Sequence, residues 1–331
     1  EVEYQDHKSD TIYTSFKVKS SQFKHLLGCE IIIWTTTPWT IPANKALAFN
    51  EKIDYSLVEI ESLEFFKEKQ IVVASNLLNS LIDTCGIVKH KVLRTFKGTE
   101  FKGTICSHPF LKMKFDYAVP MLEANFVDLE QGTGIVHCAP SHGPDDFNLC
   151  LKNNILSSYT VDNSGLYTNE VPYFANTHIF KADPIVIEKL KEQNRLLKND
   201  KLNHSYPHSW RSKAPLIYRA TPQWFISMEK NSLRSKAIKA INDTTFYPEK
   251  GKDRLLSMIE GRPDWCVSRQ RVWGVPLPIF IDKKTKEPLK DQKVIDRIAN
   301  IYQKEGSDCW FSDESKRFLG DDYNPSDYEK L

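Results

Sequence analysis

The chain has 331 residues, 40% of them hydrophobic, with 45 Lys or Arg against 43 Asp or Glu and a formal net charge of +2. This length predicts roughly two domains, and the apolar fraction excludes wholesale disorder. The longest purely apolar run is about four residues, Ile31 to Trp34, which is too short to span a membrane. No targeting segment is visible at the acidic, polar start, so we predict a cytoplasmic protein without a membrane partner.

The seven cysteines are scattered along the chain and never show Cys-x-x-Cys spacing. An odd, dispersed set argues against a disulfide framework and against a thiolate zinc site, and it fits a reducing cytosol. The chain does not begin with Met, which suggests that it belongs to a longer protein. Residues 206–275 carry 13 Lys or Arg against 6 Asp or Glu. That local excess is compatible with a nearby polyanion and equally with a solvated basic surface.

Taken in chain order, the first part of the sequence is strand-rich. Residues 1–25 are predicted as an edge strand or connector, and a buried strand over 29–34 ends where a run of threonines begins. Further strands are predicted over 55–60, 70–74, 88–96, 118–122 and 134–138. Helices are predicted from 144, from 183 with an Asp-Pro start, over 232–242 with a Ser cap and over 291–305 with Gly306 as the stop.

The segment from Trp34 to Asn44, called the threonine loop below, reads Trp-Thr-Thr-Thr-Pro-Trp-Thr-Ile-Pro-Ala-Asn. Three threonines at a strand end place hydroxyls on alternating faces, and two prolines force the backbone to loop out. Such a loop, with four hydroxyls and an amide, can hold a polar substrate or a water. The alternative is a Thr-rich turn whose hydroxyls satisfy its own backbone.

The segment from Gly132 to Asp146, called the histidine segment below, runs from a short strand through His137 and a Pro/Gly break into a helix start with two carboxylates. Asp145 can serve as a charge at the helix N-terminus, which is a structural role. Asp146 is then left to point into a pocket, where an unpaired carboxylate suits an ammonium group. A metal site is the alternative, although the spacing is not that of a known zinc motif.

A third segment, Asp264 to Phe280, sets two arginines and two tryptophans around a Ser/Gln pair, followed by a Pro-punctuated apolar strand. Arginines beside aromatic rings can hold phosphates or a nucleic-acid backbone. They can equally form a stack between domains.

Together, these three segments resemble the isoleucyl-tRNA synthetases. The threonine loop looks like the family's threonine-rich editing peptide, and Thr37 and Trp39 stand where valyl and leucyl relatives carry an Arg and an acidic residue. The histidine segment is similar to the second editing peptide. Residues 206–228 resemble the exit from the inserted domain, 264–280 resemble the return into the catalytic domain, and the closing stretch resembles bacterial members. The resemblance covers essentially the whole chain.

The resemblance implies an α+β fold in three parts. Connector strands are expected over 1–25, and a strand-rich, β-barrel-like editing domain with peripheral helices over 26–205. A connective region leading back to a Rossmann-type catalytic domain is expected over 206–331, since the texture of the sequence changes near residue 205. Relatives often carry Cys-Trp-Arg-Cys where this chain has Ser209-Trp210-Arg211-Ser212, so no zinc is expected. The HIGH and KMSKS signatures that handle ATP are absent, so no amino-acid activation is expected.

The function that the resemblance implies is hydrolysis of the ester of mischarged Val-tRNA(Ile), with the valine-carrying 3′ end of tRNA(Ile) as the partner. Editing would need no cofactor or metal, whereas ATP and Mg²⁺ would serve a parent enzyme that acts as a monomer. Three alternatives stay open: the editing domain of a valyl or leucyl relative, a non-catalytic tRNA-binding module, and a metallohydrolase.

By the same resemblance, the expected catalytic residues are Thr36, Thr37 and Asp146. Asp146 would hold the α-ammonium of the valyl group through a charge-assisted hydrogen bond, and the two threonines would line the pocket and help place the ester and the water. No side-chain nucleophile is needed, because water attacks an activated ester. Four further substrate-binding residues are expected. His137 would form part of the wall that rejects isoleucine, and Asn44 would orient the terminal adenosine or the threonine loop. Thr35 and Trp39 would complete the pocket.

Overall fold

The structure, a computed structural model, describes residues 2–269 and 274–331. These residues form two compact units that divide between Thr221 and Pro222. Of the arginine- and tryptophan-rich segment predicted over 264–280, residues 270–273, with Arg271 and Trp273, lie outside the described residues.

The first unit contains one large sheet and three α-helices. Its strands are β1 (Val2–Ser20), β2 (Glu30–Thr35), β3 (Ala46–Phe49), β4 (Asp54–Ile60), β5 (Gln70–Ala74), β6 (His90–Lys97), β7 (Ile105–Ser107), β8 (Ala118–Glu123), β9 (Ile135–Cys138) and β10 (Leu196–Ser209). Its helices are α1 (Leu78–Cys85), α2 (Pro144–Lys152) and α3 (Ala182–Glu192).

The strands of the first unit join in the order β6-β4-β5-β2-β1-β7-β8-β3-β9, and β10 pairs with β1. The pairs β2–β5 and β3–β8 are parallel, and the other pairs are antiparallel. The mixed α/β content predicted from sequence is confirmed. A closed barrel and a Rossmann-type return stay predictions.

The strand β1 has neighbouring strands on both sides over residues 12–17, so the prediction of an edge strand over 1–25 was wrong there, whereas the connector role expected over 1–25 stays a prediction. The strand hydrogen-bonds to β10, β2 and β7 along its length. Its central residues, 11–16, are all buried, including the polar Thr14 and Ser15. The Thr14 hydroxyl donates to the Arg195 carbonyl at 2.8 Å. Buried polar side chains, such as Thr14 with its internal hydrogen bond, gave this strand an exposed appearance in the sequence.

Tertiary pairing also explains why β10 was not predicted from sequence. Residues 199–203 of β10 are exposed, so the strand lacks the alternation of a half-buried strand, and it forms because β1 offers a long antiparallel edge. The strand runs across residue 205, where the sequence had suggested a domain boundary.

The helix predicted from the Asp183-Pro184 pair exists, but Asp183 is not its cap. The helix α3 begins at Ala182 with Lys181 in the N-cap position and no side-chain cap bond. The Asp183 carboxylate instead accepts a hydrogen bond from the backbone N–H of Trp39 at 2.8 Å. The helix buries Val186, Ile187 and Leu190 and packs against the 3₁₀ segment Pro38–Ala43, which belongs to the threonine loop. The fold therefore places α3 directly beneath a candidate site.

The second unit holds its own apolar core around Trp310 and Phe318. The predicted helix at 291–305 is confirmed, since Asp291 caps it by accepting from the Lys293 N–H at 2.7 Å and Gly306 ends it. Within the described ranges, no helix is long and apolar enough to cross a membrane. The elements of this unit are α4 (Leu233–Asn242), α5 (Lys250–Glu260), α6 (Gln292–Glu305), α7 (Cys309–Ser312), α8 (Ser315–Leu319) and the short strands β11 (Phe225–Ile226), β12 (Trp265–Cys266), β13 (Phe280–Asp282) and β14 (Tyr328–Lys330).

Candidate functional site

The threonine loop begins where the buried strand β2 ends. The Ile31–Ile33 side chains are fully buried and anchor the strand, so the register of the following threonines is set by the core. The Thr37 N–H donates to the Thr35 hydroxyl at 3.1 Å, and the two hydroxyl oxygens are also 3.1 Å apart. Between them, half-buried Thr36 makes no side-chain hydrogen bond to the described part of the chain. Of the three consecutive threonines, Thr36 therefore has its hydroxyl available for a ligand.

His137, on strand β9, joins the histidine segment to the threonine loop. Its Nε2 lies 2.9 Å from the Thr40 hydroxyl, and its Nδ1 lies 2.8 Å from the Asn44 amide nitrogen. That amide also donates to the Ala46 carbonyl at 2.8 Å, which identifies it as the NH₂ group. An NH₂ group only donates, so Nδ1 of His137 accepts, and the neutral ring carries its proton on Nε2. The Thr40 hydroxyl then accepts from His137 and donates to the Thr37 carbonyl at 2.8 Å.

The environment of His137 keeps the imidazole uncharged. The side chain is only 7% exposed, and burial lowers its pKa to about 3. Both ring nitrogens are engaged, so the ring is held in place by the threonine loop and has no free nitrogen for a proton or a metal. The neighbouring Asn44 is fully buried, and its amide oxygen has no hydrogen-bond partner among the described residues. A buried water is the kind of donor that can pair with this oxygen.

Asp146 lies in the first turn of α2 and folds back on the histidine segment. One carboxylate oxygen accepts the Ala139 N–H at 2.8 Å. Burial raises the pKa of this carboxyl to about 6, against the effect of the Ala139 hydrogen bond, and nearby Asp145 raises it further. Asp145 itself is exposed. A desolvated carboxylate of this kind gains by binding a cation, because the cation restores the stability of its charged form.

Trp39 contacts His142, which the sequence had suggested only as part of a possible metal site. The indole is 7% exposed and meets the His142 ring edge-on at 4.8 Å between centroids. His142 donates from Nδ1 to the Tyr218 carbonyl at 3.0 Å, so its Nε2 accepts from the Thr160 hydroxyl at 2.9 Å. Burial lowers the pKa of His142 to about 4. Neither this ring nor that of His137 has a free nitrogen, which weakens the metal alternative.

Two residues that sequence reasoning missed hold the backbone of Trp39. Asp183 accepts its N–H, and the hydroxyl of fully buried Tyr167 donates to its carbonyl oxygen. No local pattern marks either residue, because Tyr167 lies in an irregular segment and Asp183 has the appearance of a helix cap.

The structure thus brings together most of the residues that the sequence predicted. Thr35, Thr37, Asn44 and His137 lie in one hydrogen-bonded cluster with Thr40, which had not been assigned a role. Asp146 lies on the same segment as His137 and bonds next to it, at Ala139. Along these two segments lie the unpaired hydroxyl of Thr36, the partly desolvated carboxylate of Asp146 and two neutral imidazoles. Such a set can bind and orient a small substrate with an ammonium group, and it can position a water.

Comparison with known proteins places these features in a family. The model of the tRNA synthetases class I (I, L, M and V) matches residues 1–330. The isoleucine–tRNA ligase of Pelagibacter ubique (strain HTCC1062) is 66% identical over 331 residues, which are 100% of this chain and 37% of the relative. That of Gluconobacter oxydans (strain 621H) is 42% identical, covering 100% of this chain and 36% of the relative. The chain therefore spans about a third of the length of these curated relatives.

A solved structure, the crystal structure of GlLeuRS-CP1, is similar with a TM-score of 0.45 and 11% identity, covering 57% of this chain and 98% of the other. The family match extends over nearly the whole chain and includes both segments of the candidate site. The chain belongs to the class I tRNA synthetases of the I, L, M and V group.

Proposed function

We propose that this chain is the editing part of an isoleucine–tRNA ligase, which hydrolyses the ester of Val-tRNA(Ile) and spares Ile-tRNA(Ile). The observation that carries the proposal is the joining of the two predicted editing segments by His137, which bonds Thr40 on one side and Asn44 on the other. The isoleucine–tRNA ligases similar to this chain support the choice of isoleucine. In the longer enzyme, ATP and Mg²⁺ serve the charging of tRNA(Ile), and a monomer is sufficient for both reactions.

The need for such an activity follows from the size of one methylene. Its burial contributes about 0.8 kcal/mol, and the isoleucine–valine pair in this family is itself the standard example, with a discrimination by binding of about 150-fold. Burial always favours the larger side chain, so a synthetic site cannot fully exclude valine. A second site that admits valine and rejects isoleucine by steric exclusion reverses the preference. His137 and Trp39, both held rigidly, suit the wall of that second site.

The proposed mechanism uses positioning rather than a covalent intermediate. Asp146 binds the α-ammonium of the valyl group, which stabilises the ionised carboxylate. The free Thr36 hydroxyl and the neighbouring Thr37 line the pocket and help to place the ester and the water. Asn44 orients the loop or the terminal adenosine. Water adds to the carbonyl carbon and gives up a proton, the bond to the ribose oxygen breaks, and the ribose oxygen gains a proton, so that valine and uncharged tRNA(Ile) are released. Orientation in a desolvated site supplies the rate.

The test is a deacylation assay of the purified chain on Val-tRNA(Ile) and Ile-tRNA(Ile). We expect hydrolysis of the first and sparing of the second, and we expect Asp146→Ala to abolish most of the activity. Asp145→Ala is the matched control, since it removes the adjacent, exposed carboxylate and should leave the rate unchanged. Equal hydrolysis of the two substrates, or equal effects of the two substitutions, would contradict the site. Binding of tRNA without any deacylation would favour a non-catalytic module.

A further inference from the structure

One residue of the threonine loop, Trp39, is held from outside the loop through both of its backbone polar groups. The Trp39 N–H donates to the Asp183 carboxylate at 2.8 Å across 144 residues of sequence. The Trp39 carbonyl accepts from the Tyr167 hydroxyl across 128 residues. Tyr167 is 1% exposed, so its ring cannot move without repacking the core around it.

The position of the Trp39 backbone affects the neighbouring residues of the candidate site. Trp39 precedes Thr40, whose hydroxyl bonds both the Thr37 carbonyl and His137. A shift of the Trp39 backbone would therefore move Thr40, and with it the turn that presents Thr36. The prolines at 38 and 42 lack N–H groups, so Asp183 and Tyr167 hold the stretch around Trp39. His108 and Tyr117 hold the later part of the loop by donating to the carbonyls of Ile41 and Asn44.

The surroundings of Asp183 are a defined set of charged and titratable groups. Asp10 on β1 and Lys201 on β10 form a cross-strand ion pair at 3.0 Å, and both act on Asp183. Tyr167 and Tyr206 also lie within its electrostatic reach. Burial raises the pKa of Asp183 to about 7; the Trp39 hydrogen bond lowers this pKa, Asp10 raises it and Lys201 lowers it.

We propose that Asp183 and Tyr167 are positioning residues of the editing site, which hold the threonine loop in its hydrolytic geometry through the backbone N–H and C=O of Trp39. The inference rests on the proposed function and adds two residues that touch neither the substrate nor the water. A carboxylate acceptor strengthens the bond to the Trp39 N–H, because the bond is then charge-assisted. The hydrogen bond from the Trp39 N–H is accordingly strongest when Asp183 is ionised.

The first experiment measures kcat and KM for Val-tRNA(Ile) hydrolysis by the full chain at pH 8. We expect Asp183→Ala and Tyr167→Phe to lower kcat by roughly 10- to 100-fold with KM within a factor of about 3, since a displacement near 1 Å has effects of that size. Asp183→Asn keeps an acceptor oxygen but loses the negative charge, so its kcat should be about 3-fold below wild type. Thermal melting identifies any variant that has lost its fold.

The second experiment measures kcat between pH 6 and 8.5. The ratio of wild-type to Asp183→Asn kcat should be constant above pH 8 and fall as the pH drops through about 7, where Asp183 gains a proton. Because Asp146 is present in both proteins, its own titration cancels in this ratio. Asp10→Asn should move the inflection to lower pH and Lys201→Gln to higher pH, with kcat at pH 8.5 unchanged.

Each result has one meaning. A wild type without deacylase activity overturns the proposed function. An active wild type whose kcat is unaffected by Asp183→Ala and Tyr167→Phe overturns the positioning role alone. A loss of kcat in a folded Asp183→Asn variant as large as in Asp183→Ala, or a ratio that does not depend on pH, also overturns it.

Discussion

At the residue scale, the hydroxyls of the threonine loop divide into two groups. Those of Thr35, Thr37 and Thr40 bond one another or the loop backbone, which is the self-satisfied turn that the sequence left open as an alternative. The Thr36 hydroxyl makes no hydrogen bond to the described residues. The self-satisfied turn therefore describes Thr35, Thr37 and Thr40, and a substrate or a water at Thr36 stays a prediction.

This division predicts opposite effects for two substitutions. Thr36→Ala should lower the deacylation rate by about 10-fold or more and leave the free energy of unfolding within about 0.5 kcal/mol, since no internal bond is lost. Thr40→Val should cost about 1–3 kcal/mol of stability, because it leaves the buried His137 Nε2–H without an acceptor. Urea unfolding and deacylation assays on both variants check this. A destabilised Thr36→Ala protein would contradict the free hydroxyl.

At the scale of elements, the strand β9 presents His137 only because its start is bent and tightly packed. Gly134 has a φ of +71°, and a Cβ built there would lie 2.4 Å from the Cβ of Ala74 on β5. Its carbonyl accepts from the Tyr55 hydroxyl at 2.8 Å. The Ala74 N–H in turn donates to the Thr133 carbonyl at 2.9 Å. The histidine segment is thus fastened to the sheet just before it reaches the site.

We expect Gly134→Ala to destabilise the protein through both backbone strain and overlap. The left-handed conformation costs an alanine about 1–2 kcal/mol, and the overlap with Ala74 adds about 1–3 kcal/mol. Gly132→Ala is the matched control, since Gly132 has a φ of +81° and a Cβ there would meet nothing closer than 3.5 Å. Chemical denaturation of the two variants should separate strain from overlap. Equal losses would show that Ala74 moves aside.

At the scale of the whole molecule, the site belongs to the first unit alone. The two segments that build it, the helix α3 beneath it and the loop that holds His142 all precede Pro222. The last part of this unit, after residue 205, also contacts the segments of the site. The end of β10 pairs with the start of β1, the Tyr218 carbonyl accepts from His142, and the Ala220 N–H donates to the Ser141 carbonyl at 2.8 Å.

Two truncations test where the editing domain ends. We expect residues 1–221 to fold with a single cooperative transition and to keep deacylase activity, because this unit has its own core. Residues 1–205 should melt at a lower temperature and lose activity, since the cut removes part of β10 and the partner of His142. Melting curves and deacylation assays of the two fragments show whether the editing domain ends near residue 221 or near residue 205. Equal behaviour would support the boundary near residue 205 that the change in sequence texture suggested.

The sequence by itself determined the two segments of the site and the elements whose signals are local. A few consecutive residues are enough to predict each of these features. They are the threonine run at the end of an apolar strand, the Asp291 cap and the Gly306 stop of α6, and the start of α2 at Pro144. Their physical causes, proline geometry, capping and apolar periodicity, act within about one turn or one strand. Local causes leave local patterns, so these predictions were possible without the fold.

Only the tertiary structure decided the parts that depend on distant partners. Four features involve residues that are far apart in sequence. They are the place of β1 in the sheet, the formation of β10, the proton on Nε2 of His137, and the role of Asp183 as acceptor for Trp39 instead of helix cap. A buried polar side chain looks the same in sequence as an exposed one until its partner is known. Burial and hydrogen bonding across the fold, rather than composition, therefore fixed the charge, the tautomer and the position of the groups at this site.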